Sequence, residues 1–348
     1  MLYSAAKWLL EHMDPARANR VMIDNLEWFT TLGFHDGVSR MPDEDPLEVM
    51  GLRFPNAVGL AAGLDRNGAQ VCSFGAFGFG FVEAGTITLA EQKFVSSPAF
   101  VRDNKNKSIV IHDDFENAGA QTALKALRSA DGFLLRGGVT GISIGASRTS
   151  AHEDIALELE ELLSVFYRRA DYFSLNLFCS KLSDPAEVFK NTSLLQSIVS
   201  ACCAKRDALA EALSLPRRPI TLKLPASLSD DDLLRCADIC VENGINAVTA
   251  AAPLAAAGSG RHTFVCGAPL RERSSSIVSL LSSHLQGALP VIATGGVLTK
   301  EDAAEKIKAG AALVQILTGF VFNGPGFVAD CVEAVAQARR VLHAQAAQ

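Results

Sequence analysis

The chain has 348 residues and a mass of 36.9 kDa, enough for one barrel with additions or for two smaller domains. Its hydrophobic fraction (49%) and mean hydropathy of +0.20 supply a large core with ease. A net charge of −6 and a pI near 5.7 argue against non-specific nucleic-acid binding, and no apolar run reads as a membrane span or signal peptide. The eight cysteines are scattered without paired C-x-x-C spacing, so no zinc or other metal site is expected. Cys236 and Cys240, four apart among apolar neighbours, read as reduced core residues. The expected location is the cytoplasm or the inner face of a membrane.

Residues 1–33 stand apart. The spacing predicts a helix over 4–12 carrying Trp8, Leu9 and Leu10, then a second one opened by Asp14-Pro15 and running to about Thr31. Such helices either cover a barrel floor or dock on a membrane surface. The mixed charge of Glu11, Arg17, Arg20, Asp24 and Glu27 favours the floor cover.

From residue 34 to 348 short apolar runs alternate with helical patterns. Strands are predicted at 57–60, 79–84, 141–145, 172–177, 220–224, 247–250, 291–293 and 313–317. Between 99 and 111 the pattern breaks into a hairpin around the polar turn DNKNK, followed by His112-Asp113-Asp114. Thr299 and Asp302 form a near capping box for the helix that Gly310 ends, and Gly244 closes an earlier helix begun at Asp230. Eight strands alternating with helices predict a (β/α)8 barrel behind an N-terminal two-helix extension.

Barrel chemistry gathers at the C-terminal ends of the strands. Those positions are Gly63, Arg66, Thr86, Ser143, Asn176, Cys179, Lys223, Gly267, Gly296 and Thr318. The last two strands end in Gly295-Gly296 and Thr318-Gly319, which read equally as a phosphate clamp and as packing glycines. Lys223 interrupts an apolar strand; it either meets an anion or an electron-accepting ring, or snorkels to solvent. Asn176 offers a neutral amide, or is a satisfied core group. Cys179, near Lys181, is a base or nucleophile if that cation favours its thiolate, and inert otherwise.

The stretches WLLEHMDPARAN, GLRFPNAVGLAAGLDRNG, GFGFVEAGTIT, GISIG, SLNLFCSK, TLKLPASLSDDDL, GAPL, ATGGV and QILTGFVFNGP carry a resemblance over nearly the whole chain. In order and spacing the sequence resembles the quinone-linked, membrane-associated dihydroorotate dehydrogenases. That resemblance implies an FMN-containing barrel that oxidises dihydroorotate to orotate in pyrimidine biosynthesis. It also implies quinone reduction through a tunnel between the N-terminal helices and the barrel, which turns the reading of residues 1–33 toward quinone and membrane docking. Carried over position by position, Ala62, Gly63, Thr86 and Lys223 match residues beside the flavin, and Gly267, Gly296, Leu317 and Thr318 match its phosphate clamp. Ser143 stands where the family has asparagine, and Ala251 where it has threonine.

The substrate positions depart further. Arg66 replaces the lysine that serves flavin and substrate, keeping charge but not shape. The asparagine-rich loop is Ile111-His112-Asp113-Asp114-Phe115-Glu116, in which only Phe115 matches among the substrate contacts. The base position, serine in this class, is Cys179; the proline and asparagine after it are Ser180 and Lys181. An asparagine-threonine pair has become Ala252-Pro253, and only Asn176 survives among the ring-binding amides. Each lost hydrogen bond to a desolvated ligand costs roughly 1–3 kcal/mol, so weakened orotate binding is expected. The alternative is a degenerate relative that serves another substrate or a non-catalytic scaffold role.

Overall fold

The side chain of Asp14 accepts the Arg17 backbone N–H at 3.0 Å and Pro15 takes the first helical position, so α1 (Pro15–Thr31) begins where the sequence places it. The structure is a computed structural model that describes residues 9–10, 12–93, 98–112, 116–178, 186–251, 253–255 and 263–346. Leu9, Leu10 and His12 are helical; the rest of the expected first helix lies outside the described residues. Helix α1 buries Ala18 and Leu26 and packs Met22 and Phe29 on the core, leaving Trp28 61% exposed. The segment that follows is fastened to the far end of the chain: Arg40 pairs with Glu333 and, at 3.3 Å, with Asp330, and Arg339 pairs with Asp45.

After a small antiparallel hairpin, β1 (Leu47–Val49) with β2 (Leu52–Phe54), the barrel begins. Its eight parallel strands are β3 (Val58–Leu60), β4 (Phe81–Ile87), β7 (Val139–Ile144), β8 (Tyr172–Leu175), β9 (Ile220–Leu224), β10 (Ala247–Ala250), β13 (Val291–Thr294) and β14 (Leu313–Ile316). They follow one another around a closed barrel, with β14 pairing β3. The outer helices include α2 (Ile155–Phe166), α3 (Thr192–Leu213), α4 (Asp230–Glu242), α5 (Arg271–Leu285), α6 (Lys300–Lys308), the short α7 (Thr318–Asn323) and α8 (Gly326–Ala346). Apolar runs make these strands because each is buried on both faces, against the helices outside and the packed interior within. The interior is crowded: a Cβ on Gly59 would lie 2.3 Å from the Phe81 ring, and one on Gly141 2.2 Å from that of Tyr172. The capping box at α6 is complete, and Gly244 and Gly310 stand in the left-handed conformation just past α4 and α6.

Two features differ from the sequence expectation. Strand β4 does not end at Ala84 but continues to Ile87, with a register shift between Ala84 and Ile87 that lifts Thr86 over its neighbour strand. The hairpin of β5 (Phe100–Asp103) and β6 (Ser108–His112) is not alone over the barrel mouth. It joins β11 (Leu254–Ala255) and β12 (Thr263–Gly267) in a four-stranded sheet, ordered β11-β12-β6-β5.

Candidate active site

A cavity of about 440 Å³ runs from α1 to the C-terminal ends of the barrel strands. Its outer wall is apolar, with Leu9, Leu10, Met22, Leu26 and Phe29 facing Leu64, Phe77 and Val321. Its inner end is lined by Arg66, Thr86, Asn176, Lys223, Gln315 and the turns after β13 and β14. Ala62, Gly63, Gly267, Gly296, Leu317 and Thr318 all border it, so the expected cofactor positions converge, with one exception. Ser143 does not line the cavity: it is buried under Thr86, the two hydroxyls 3.0 Å apart, because the shift in β4 places Thr86 above it.

Lys223 is 6% exposed, and its ammonium makes no hydrogen bond or ion pair among the described residues. A buried cation that borders a cavity without a partner favours an anion or a polarisable ring there. Asn176 donates through Nδ2 to Thr86 Oγ1 at 2.8 Å, and its buried Oδ1 is left without a partner. Gly296 has φ +73° and sits so close to the start of α5 that a Cβ would lie 2.4 Å from the Arg271 Cα. The amides of Gly295 and Gly296 donate to no acceptor among the described residues, and they stand beside the opening turn of α7. Gly267 completes this corner, because a Cβ on it would press the Thr318 methyl at 2.9 Å and the Lys107 carbonyl at 2.3 Å.

Arg66 is held rather than loose. Its Nε donates to the Gly63 carbonyl at 3.1 Å, its Nη1 to the Glu116 carbonyl at 3.4 Å, and its guanidinium lies 4.8 Å from the centre of the Phe100 ring. The loop beneath it winds around the buried Asp65 carboxylate, which accepts the backbone N–H groups of Ala69 and Gln70 at 2.9 Å. Burial raises the Asp65 pKa to about 6 although those amides oppose it. Ile111 and Pro253 border the cavity where the resemblance expects amide and hydroxyl groups. Ile111 packs instead with Phe178 and Phe264, whose rings are 6.0 Å apart and edge to face. Phe115, Cys179, Lys181 and Ala252 lie outside the described residues.

Sequence reasoning missed two cavity-lining groups, Arg102 and Gln315, and two supports of the second, Glu83 and Tyr172. Arg102 lines the outer part and donates to the Leu10 carbonyl at 3.1 Å. Gln315 donates through Nε2 to Glu83 Oε2 at 2.8 Å, and Tyr172 donates to the same oxygen at 3.0 Å, giving the barrel interior a polar floor. The signal for Gln315 and Glu83 was strand parity: both alternate with residues that face the helices.

The family model described as Dihydroorotate dehydrogenase matches residues 46–338. A relative from Teredinibacter turnerae, a dihydroorotate dehydrogenase (quinone), is 35% identical over 347 residues, covering 96% of this chain and 99% of the relative. One of the same name from Marinomonas is 33% identical over 338 residues, covering 95% and 96%. Among solved structures, the Eimeria tenella DHODH in complex with ferulenol superposes with a TM-score of 0.79 at 25% identity, over 94% of this chain and 92% of that one. With the barrel, the covering sheet and the cavity under α1 in the same chain, these matches place it plainly: the protein belongs to the dihydroorotate dehydrogenase family, in its quinone-linked class.

Proposed function

We propose that the chain is an FMN-dependent oxidoreductase that passes electrons from a small-molecule donor to a quinone, with a donor pocket strongly altered from the family's dihydroorotate site. The observation that carries this reading is the single cavity joining an apolar wall under α1 to strand ends where an unpartnered ammonium and unpaired amides converge. The amides of Gly295 and Gly296, with Thr318 and Gly267, suit a phosphate. Lys223, Asn176, Ala62, Gly63 and Thr86 suit a polar ring system, so the residues present fit FMN. When bound, FMN supplies two-electron redox chemistry, taking a hydride equivalent from the donor and returning electrons to the acceptor. Lys223 holds a positive charge where negative charge would develop, and Asn176 offers an unused acceptor oxygen to a ligand N–H. Cys179 is proposed as the base that takes the donor's proton, from its place in the motif alone.

Residues 1–33 are proposed as the quinone- and membrane-docking extension, and residues 34–348 as the FMN barrel. Leu9 and Trp28 are exposed at 53% and 61%, and no described helix is long and apolar enough to cross a membrane, so the contact would be peripheral. The pocket's apolar edge favours a second reading of the donor: Ile111 is committed to an aromatic cluster and Pro253 has no N–H to offer, so a donor other than dihydroorotate fits this side equally well. Anaerobic addition of dihydroorotate to the purified protein separates these readings. Bleaching of a yellow protein at about 1 per second or faster, the low end for ordinary enzymes, establishes dihydroorotate as donor. A yellow protein that stays yellow points to another donor. A colourless protein that takes up no FMN ends the flavin reading.

A further inference from the structure

Behind the Gly295–Gly296 turn lies a lysine outside the cavity. Lys306, in the last turn of α6, is wholly buried, which a lysine tolerates only when its ammonium is well bonded. Its Nζ donates to Ser274 Oγ at 2.5 Å, to Ser275 Oγ at 2.8 Å and to the Arg271 carbonyl at 3.3 Å, all at the start of α5. Ser274 therefore accepts from Lys306, and its one proton is left for the carbonyls of Thr294 at 3.1 Å and Gly295 at 3.0 Å. A trans peptide aims its N–H opposite its C=O. With those two carbonyls held toward α5, the N–H groups of Gly295 and Gly296 are aimed away from it, and both residues border the cavity.

We propose that Lys306 is a positioning residue of the phosphate subsite: through Ser274 it orients the two glycine amides, and it sets a buried positive charge behind the anion they receive. This rests on the flavin reading above. Two charged groups face Lys306: Asp302, one turn earlier on α6, and Arg271 on α5, which pair with each other at 2.9 Å. Burial lowers the lysine pKa from 10.5 to about 8, with Asp302 opposing and Arg271 adding to the shift. In the ligand-free protein the unfolded chain keeps this proton over a range where the folded chain has lost it. The lysine's contribution to stability therefore rises as pH climbs from about 8 to 10.5. Phosphate affinity follows the opposite course, because the anion is attracted only to the charged form.

The test compares FMN with riboflavin, which has the same ring without the phosphate, by equilibrium titration of the full chain freed of flavin, between about pH 7 and pH 10. Lys306→Met should weaken FMN binding by about 10- to 100-fold, the loss of a charge-assisted network, and riboflavin binding by less than about twofold. The unmodified protein should lose FMN affinity above about pH 8 while the variant's stays level. A pH effect arising beside the ring rather than at the phosphate would act on both flavins and persist in the variant. Ser274→Ala, which keeps the ammonium, should weaken FMN and retain the pH trend; with the unmodified protein's profile it decides the matter if Lys306→Met does not fold. FMN affinity in both variants equal to that of the unmodified protein, equal loss of both flavins, or a level profile in the unmodified protein overturns the proposal. An unmodified protein that binds neither flavin overturns the flavin reading, and this inference with it.

Discussion

The two sides of the inner cavity are lined in different ways, and so would meet the proposed ligand through different contacts. At the ends of β13 and β14 the contacts are main-chain: the amides of Gly295 and Gly296, the first turn of α7 and the close approach of Gly267. In β6 and after β3, β8 and β10 they are side chains: Ile111, Arg66, Asn176 and Pro253. A backbone donor survives any substitution that keeps the turn, whereas a side-chain donor is lost in one replacement. On the proposed reading, the main-chain side is the flavin's and the side-chain side the donor's. On the side-chain side Ile111 is packed with Phe178 and Phe264.

The sharpest way to break this comparison is at Gly296. A valine there combines a left-handed backbone with a Cβ 2.4 Å from the Arg271 Cα, where neither neighbour is a flexible side chain. Flavin affinity should fall by more than about 100-fold, with a penalty of about 1–3 kcal/mol in chemical denaturation. Retained affinity would show that the main-chain side is not what holds the ligand.

The donor side should respond in the other direction. Ile111→Asn with Pro253→Thr returns two polar groups to the cavity wall and should tighten orotate by about tenfold, close to the worth of one net hydrogen bond. Calorimetry with orotate reads this directly, and unchanged or weaker binding would mean that the aromatic cluster cannot release the site. Smaller still is the effect at the outer wall. Leu9→Ser with Trp28→Ser removes exposed apolar surface and should lower liposome co-sedimentation several-fold while leaving the barrel's melting temperature within a few degrees. Arg40→Ala should be smallest, below about 1 kcal/mol, because its ion pairs are half exposed.

Most of the barrel is legible in the sequence because parallel strands buried on both faces leave short, unbroken apolar runs. Of the covering sheet only the β5–β6 hairpin is, since β6 and β12 contribute partners such as His112 and Thr263 that stand 151 residues apart. No local pattern announces that pairing. Thr86 and Ser143 show a second limit. Strand parity alone sets both at the mouth of the barrel, but the register shift in β4 stacks one on the other, and only the upper residue borders the cavity. Lys306 shows a third: in the sequence it is one of several lysines on a charged helix, and only packing against α5 makes it internal.

The fastening of Arg40 and Asp45 to α8 has a consequence for the order of events during synthesis. Arg40 and Glu333 are 293 residues apart in the chain, and at about 5–20 residues per second the second is made roughly 15–60 s after the first. Strand β3 waits similarly for β14, its closing neighbour. For that interval the segment around Arg40 and Asp45 stays unfastened, whereas α1 already has the helix Val71–Gly75 and β5 to pack on. The barrel therefore closes only at the end of synthesis, when β14 reaches β3 and α8 takes up its ion pairs with Arg40 and Asp45.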